Sequence, residues 1–311
     1  MNWKIKAAVQ NACAALPVFR EEIYFSIQKL FGDLANKPDP IQMMGAAAEL
    51  TGLLQKVGRP VAGARVFEVG TGRRIDMPIG LFLAGAKSVT TVDLHRYLKL
   101  ELVLACLARI RDNRSQIREF FLPVTNPVEL DRRIDLLCSV SGFEDLIEKT
   151  NVIYRAPSDA AATGLPNGSI DIHVSYTVFE HIPGPVLEAI LRESSRLLSD
   201  NGFALHHIDL SDHFAQDGEI TKINFLQYSP AEWESYAGNQ FAYHNRLRPG
   251  EYRAIYEAAG HEVLEWIPHV DQDSITALTG GFPVHPGFGS HLPQELCTGV
   301  LQVISRPRKS S

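Results

Sequence analysis

The run Leu205-His206-His207-Ile208-Asp209-Leu210-Ser211-Asp212-His213 gathers three histidines and two aspartates at the end of a β-prone stretch. Polar groups there cost free energy unless something uses them. Strand alternation sends His206, Ile208 and Leu210 to one face and His207 and Asp209 to the other. A neutral imidazole, with a reference pKa near ~6.5, suits proton removal, and a carboxylate can fix its tautomer. His207 or His213 is therefore the candidate general base, with Asp209 or Asp212 as its orienting partner. His181, which follows Glu180, reads as a helix-start or packing residue. A metal set could be drawn from His207, Asp209, Asp212, His213 and distant His244, but spacing alone does not establish one, and no metal is assigned.

A second constellation lies earlier. Arg65-Val66-Phe67-Glu68-Val69 is a short β-prone run that ends in Gly70-Thr71-Gly72, where missing Cβ atoms let the backbone pass close to a ligand. The third glycine of a dinucleotide fingerprint is absent, replaced by Arg73-Arg74-Ile75-Asp76, which disfavours a pyrophosphate ligand. Asp93 closes the next strand 21 residues after Gly72, where a carboxylate can accept from both hydroxyls of a ribose.

These residues need elements to hold them. Strands are expected at 65–69, 88–92, 151–155, 169–175, 203–210, 261–267 and 299–305, with helices over about 79–85, 95–110, 185–198 and 251–259. The segment Ser199-Asp200-Asn201-Gly202 reads as a helix stop. Such alternation implies an α/β, doubly wound sheet with crossover helices on both faces. Residues 1–60 read as an N-terminal helical cap of about three helices, and 61–311 as the main domain, with insertions at about 111–150 and 211–250 forming a lid. The second insertion holds Tyr228, Trp233, Tyr236, Phe241, Tyr243 and His244, then Asn245-Arg246-Leu247-Arg248. Aromatic faces beside a guanidinium fork would suit an acceptor with a ring and a carboxylate or phosphate, and the favoured reading is a cap packed by its own aromatics with Arg248 on the surface.

Glu68-Val69-Gly70-Thr71-Gly72, Asp93, Ser158-Asp159-Ala160 and the stretch from Leu165-Pro166-Asn167-Gly168 through Val178-Phe179-Glu180-His181 together resemble the class I S-adenosylmethionine-dependent methyltransferase family. The likeness covers about residues 61–210, and the last two strands fit that fold's reversed hairpin. It implies a seven-stranded Rossmann-like sheet and S-adenosyl-L-methionine as cofactor. By the same resemblance Gly70 and Gly72 line the methionine part, Asp93 holds the ribose and Asp159 the adenine amino group. Glu68 orients the turn or holds the cofactor's ammonium through water. Ser175 and Tyr176 lie near the sulfonium, where an aromatic face suits a cation. One of Arg73 and Arg74 is a candidate partner for the cofactor's carboxylate.

Composition narrows the rest. Thirty basic and thirty-six acidic residues among 311 give a net charge of −6, with no dense basic run, so nucleic acid is not the expected partner. No apolar stretch approaches the ~20 residues of a membrane span, no signal-like segment opens the chain, and a cytoplasmic protein is expected. Cys13, Cys106, Cys138 and Cys297 lack the pairwise spacing of zinc or redox motifs. The leading reading is methyl transfer to an oxygen or nitrogen of a small-molecule acceptor in a glycan or secondary-metabolite pathway, by a chain that could form a homodimer. The alternatives are cyclisation of the cofactor to azetidine-2-carboxylate and methylthioadenosine, or cofactor binding without turnover.

Overall fold

The computed structural model describes residues 2–31 and 39–308. Three helices come first: α1 (Trp3–Ala14), α2 (Arg20–Phe31) and α3 (Pro40–Lys56). Asp39 caps α3 by accepting from Ile41 N, with Pro40 at the first helical position, where a missing N–H costs nothing. The alternating part runs β1 (Arg65–Val69), α4 (Asp76–Leu83), β2 (Ser88–Val92) and α5 (Leu100–Asp112). Next come α6 (Arg114–Phe121), α7 (Pro127–Ser139), α8 (Phe143–Thr150), β3 (Val152–Arg155), β4 (Ile170–Tyr176), α9 (Gly184–Leu197) and β5 (Leu198–Asp209). The C-terminal part is α10 (Pro230–Ala237), α11 (Pro249–Ala258), β6 (His261–Val270), α12 (Gln272–Thr279), α13 (Pro293–Leu296) and β7 (Thr298–Pro307).

The strands form one sheet in the order β3-β2-β1-β4-β5-β7-β6. The first five are parallel, and β7 enters antiparallel between β5 and β6. The progression of strands along the sheet therefore reverses between β1 and β4, the place where an open α/β sheet leaves a crevice at the carboxyl ends of its strands. Apolar residues alternate by face. Val66, Ile172, Val174 and Leu205 meet α3 to α8 on one side, while Phe67, Val69, Ala204 and Ile208 meet α9 and α11 on the other. A third, smaller core joins Trp3 and Ala7 of α1 to Phe214, Phe225 and Trp233.

Three expectations change. Residues 111–150 join the larger core, α6 packing on α3, α7 on α5 and α8 on β3, with Ile117, Phe121, Leu130, Ile134 and Leu146 all buried. Helix α5 begins at Leu100 rather than near His95, after a non-helical stretch pinned by Lys99 N donating to Arg73 O (3.1 Å). The 199–202 segment lies within β5, which starts at Leu198 opposite Ile170 and shifts register before Ile172. No helix among the described residues is long and apolar enough to cross a membrane.

Candidate active site

The crevice at the β1/β4 switch point opens into a cavity of about 970 Å³. Its floor is the turn after β1. Gly70 N and Thr71 N both donate to Val92 O (2.8 and 3.1 Å), folding the turn over β2. Gly70 has φ +88°, and a Cβ there would meet Val178 Cγ2 at 2.4 Å, so both its backbone and its neighbour require glycine. Gly72 N donates to Asp93 Oδ2 (2.8 Å) and His95 N to Asp93 Oδ1 (3.1 Å). The carboxylate predicted to meet a sugar thus also ties the glycine turn to β2. Burial raises the Asp93 pKa against these hydrogen bonds.

Glu68 is fully buried beneath the turn. Its carboxyl accepts from the Thr91 hydroxyl, which in turn accepts from Thr71 Oγ1 at 2.6 Å. Burial, opposed by the Thr91 hydrogen bond and aided by the Asp93 charge, pushes its pKa up to about 8. Asp159, after β3, accepts from Ala161 N (2.8 Å) and lines the cavity with Ser158 and Ala160.

The two arginines after Gly72 are used by the protein itself. Arg74 Nε donates to Asp76 Oδ2 at 2.6 Å in a pair with both side chains below a tenth exposed. Arg73 donates to Gln28 and lies over the rings of Tyr24 and Phe25, at 5.6 and 5.3 Å. Helix α2 is thereby fastened to the turn, and Tyr24 and Gln28 become cavity wall.

Tyr176 ends β4 and lines the cavity, its ring stacked on His207 of β5 (centroids 4.5 Å, 28°). Ser175 does not line it. Alternation turns that hydroxyl to the opposite face of the sheet, where it is buried without a hydrogen-bond partner. The alternation read along β5 holds: His206 is buried on the α9 side, on Phe179 and Tyr256, while His207 takes the other face. His207 nevertheless lies behind Tyr176 rather than in the cavity wall. Gln302 Nε2 donates to its Nδ1 (3.2 Å) while Gln302 Oε1 accepts from His269 Nε2 (3.1 Å), so in the neutral ring the lone pair of His207 is already engaged.

A smaller chamber of about 180 Å³ adjoins the cavity and shares Tyr24, Gln28, His181 and Phe241 with it. His213, Asp212 and His244 line the chamber. His181 Nδ1 donates to Tyr243 O (2.8 Å), leaving Nε2 with its lone pair. Partial desolvation in the cavity wall, reinforced by His213, lowers the His181 pKa from its ordinary value, although the residue stays exposed to solvent. The His213 ring stands edge-on to it at 4.8 Å, with Nε2 3.5 Å from Asp209 Oδ2. Burial opposes ionisation of Asp209, but His213 and Ser211 outweigh it and hold the carboxyl below its ordinary range. Asp212 is occupied elsewhere: it accepts from Phe214 N (2.8 Å) and Asn224 Nδ2 (2.9 Å), capping the next turn. His244 is also saturated, donating to Asp209 O (3.2 Å) and accepting from Arg246 N (3.1 Å).

The sequence places His181, after Glu180, as a helix-start or packing residue rather than in the site. Glu180 and His181 occupy a single turn after β4, beside the end of β5, so the sheet brings them to His213, and the ligand atoms of all three lie within 4.8 Å of one another. The pairing of neighbouring glutamate and histidine with the His-rich end of the next strand was the signal available. Arg248, expected on the surface, is fully buried, donating to the carbonyls of Leu210 (2.9 Å) and Arg246 (3.3 Å). Arg246 serves the carbonyls of Phe225 and Tyr228, both at 2.9 Å. These two guanidinium groups hold the cap together.

Residues 136–206, from α7 to the middle of β5, match the family described as "Methyltransferase domain". That match makes residues 136–206 a methyltransferase domain, in agreement with the class I S-adenosylmethionine-dependent family that the sequence resembles and with a sheet that ends in a reversed hairpin. None of the curated proteins compared with the chain matches. Among solved structures, a Methanosarcina mazei S-adenosylmethionine-dependent methyltransferase is 11% identical over 80% of this chain and 94% of its own, at TM-score 0.46. A geranyl diphosphate methyltransferase with bound cofactor is 13% identical over 84% of each chain, at TM-score 0.45. The Synechocystis magnesium protoporphyrin IX methyltransferase is 13% identical over 85% of this chain and 83% of its own, at TM-score 0.43.

The methyltransferase cavity suits the cofactor chemically. At Gly72, φ +64°, an added Cβ would meet nothing within 4 Å, so the turn leaves open space where a ligand can approach the backbone. Glu68, Asp93 and Asp159 present carboxyl groups to that space, while the Arg74 charge is matched by Asp76. An acid-lined, partly desolvated pocket favours a sulfonium with an ammonium group.

Proposed function

We propose that this methyltransferase alkylates an oxygen or nitrogen of a small-molecule acceptor bound between the cofactor cavity and the histidine-lined chamber. The observation that carries the reading is the adjacency of the two spaces, whose walls share Tyr24, Gln28, His181 and Phe241. About 970 Å³ sits at the upper end of the ~300–1,000 Å³ usual for a single small-ligand site, and a further compartment opens beside it. Intramolecular cyclisation of the cofactor would need no second compartment. The N-terminal helices and residues 240–243 supply aromatic and apolar wall on the acceptor side, through Tyr24, Met43, Phe241 and Tyr243.

S-adenosylmethionine supplies an electrophilic methyl group whose transfer to a nucleophile breaks the carbon–sulfur bond. The protein's part is to align and to manage a proton. In this reading Asp93 accepts from the ribose hydroxyls through lone pairs not spent on Gly72 and His95. Asp159 receives the adenine amino group, and Glu68 faces the ammonium. Tyr176 lays its ring against the sulfonium, with His207 behind it as a positioning residue. The acceptor's nucleophilic atom rests against His181 and His213, and its proton is withdrawn toward the His213–Asp209 pair. A small, uncharged acceptor fits a chain with net charge −6 and no basic groove better than a nucleic acid does.

The test is product identity. Purified protein incubated with S-adenosylmethionine and a panel of hydroxylated and amino small molecules should yield S-adenosylhomocysteine and a methylated acceptor in equal amounts. Methylthioadenosine formed with cofactor alone would overturn the reading in favour of cyclisation.

A further inference from the structure

We propose that Glu180, His181 and His213 form a site for one divalent first-row transition-metal ion at the junction of the two cavities. Three observations converge. One donor atom from each residue lies within 4.8 Å of the others, close enough for small side-chain adjustments to bring all three to the ~2.0–2.2 Å of metal–ligand bonds. The Glu180 side chain is fully buried, and neither carboxylate oxygen has a hydrogen-bond partner. A buried carboxylate of this kind must be neutralised by a proton or by a cation. The buried Arg248 guanidinium is directed elsewhere, donating through Nη2 and Nε to the carbonyls of Leu210 and Arg246.

The histidines are prepared in the same sense. His181 gives its Nδ1 proton to the Tyr243 carbonyl at 2.8 Å, which leaves Nε2 as the coordinating atom and fixes the ring, the usual outer support of a metal-ligating imidazole. His213 Nε2 is buried and makes no hydrogen bond, with only Asp209 Oδ2 nearby at 3.5 Å. His244, the ring next to His213 at 4.9 Å, has both nitrogens occupied and so stays outside the set. Two imidazoles and one carboxylate suit a borderline ion such as zinc or iron(II) better than magnesium or calcium, and Mn²⁺ serves as a paramagnetic stand-in for them.

Three protein ligands leave coordination positions open, and His181 belongs to the walls of both cavities. A cation there would face the acceptor and lower the pKa of a hydroxyl placed on it. The transfer then balances simply. The acceptor O–H bond breaks with its proton passing to solvent water in the cavity, the new O–CH₃ bond forms, and the sulfonium S–CH₃ bond breaks to leave neutral S-adenosylhomocysteine. This last step rests on the methyl-transfer reading above, whereas the metal site does not.

The experiment therefore reads metal binding alone. Tag-free protein stripped with chelator is titrated with Mn²⁺ and free ion followed by electron paramagnetic resonance, with Zn²⁺ as competitor and neither cofactor nor acceptor present. One ion per chain should bind. His213→Ala and Glu180→Gln should each weaken binding by on the order of 100-fold, and His285→Ala should leave it unchanged. His213 is partly exposed, so its variant decides the matter if Glu180→Gln does not fold. Absence of stoichiometric binding by the unmodified protein overturns the proposal, as does binding that His213→Ala leaves unaltered. Either result leaves methyl transfer standing, to be judged separately by product analysis.

Discussion

Glu68 offers the sharpest quantitative expectation. Its carboxyl is 3% exposed and, with a pKa of about 8, carries a proton at neutral pH in the ligand-free protein. A cofactor ammonium brought close to it favours the ionised form, so binding should release a proton. At pH 7, one unit below that pKa, ionising Glu68 costs about 1.4 kcal/mol, and cofactor affinity should rise by up to ~10-fold for each pH unit between 5.5 and 7.5. The ammonium, titrating near ~8, stays charged over this range. Isothermal calorimetry in buffers of differing ionisation enthalpy counts the proton directly. The wild type should release close to one, and Glu68→Gln should release none and lose the slope. A flat pH profile in the wild type, with no proton exchanged, would refute the electrostatic role given to Glu68. The same shift has a stability consequence of defined sign. The folded pKa lies above the ordinary 4.5, so the contribution is complete below about pH 4.5 and is lost as pH rises through about 8. Denaturant unfolding of the ligand-free protein should show the wild type losing about 1.4 kcal/mol per pH unit relative to Glu68→Gln in that window.

Further outcomes follow from other parts of the site. His213→Ala should lower kcat by ~10²–10⁴-fold with S-adenosylhomocysteine affinity unchanged, whereas equal losses in both would mean that the residue only maintains the fold. Gly72→Ala should cost about 1 kcal/mol of stability from its positive φ yet reduce cofactor affinity markedly in titration, because the new methyl occupies the open space beside the turn. Gly70→Ala should be far worse folded, since its Cβ would lie 2.4 Å from Val178, and thermal unfolding separates the two cases. Asp76→Ala removes the partner of buried Arg74 and should destabilise by ~3–5 kcal/mol in chemical denaturation; a loss under 1 kcal/mol would show the pair to be dispensable.

What could be read from sequence depended on how local each feature is. The glycine turn and Asp93 are joined by short-range chain geometry, and the Gly72–Asp93 hydrogen bond is the direct outcome of two adjacent parallel strands. Strand alternation likewise separated His206 from His207 correctly. The acceptor side could not be read in this way. His181 meets His213 only because β4 and β5 are neighbours and both chains turn at the same edge of the sheet. The engagement of His207 by Gln302 depends on β7 entering antiparallel beside β5, a pairing 95 residues distant in sequence. For residues 111–150 the signal was local but outweighed by charge. The apolar spacing of Ile117, Phe121, Leu130 and Ile134 marks a face for the core, and α6 and α7 pack on α3 and α5 accordingly. The arginines after Gly72 interrupted a familiar pattern, and their partners, Gln28, Tyr24 and Asp76, lie largely on other elements.

The most direct measurement is a calorimetric titration of S-adenosylhomocysteine into the wild-type protein and into Asp93→Ala. One molecule should bind per chain, and the substitution should weaken it at least ~10-fold by removing the sugar contact and freeing the glycine turn. No heat with this ligand, or equal affinity in the variant, would contradict placement of the nucleoside over the β1 turn.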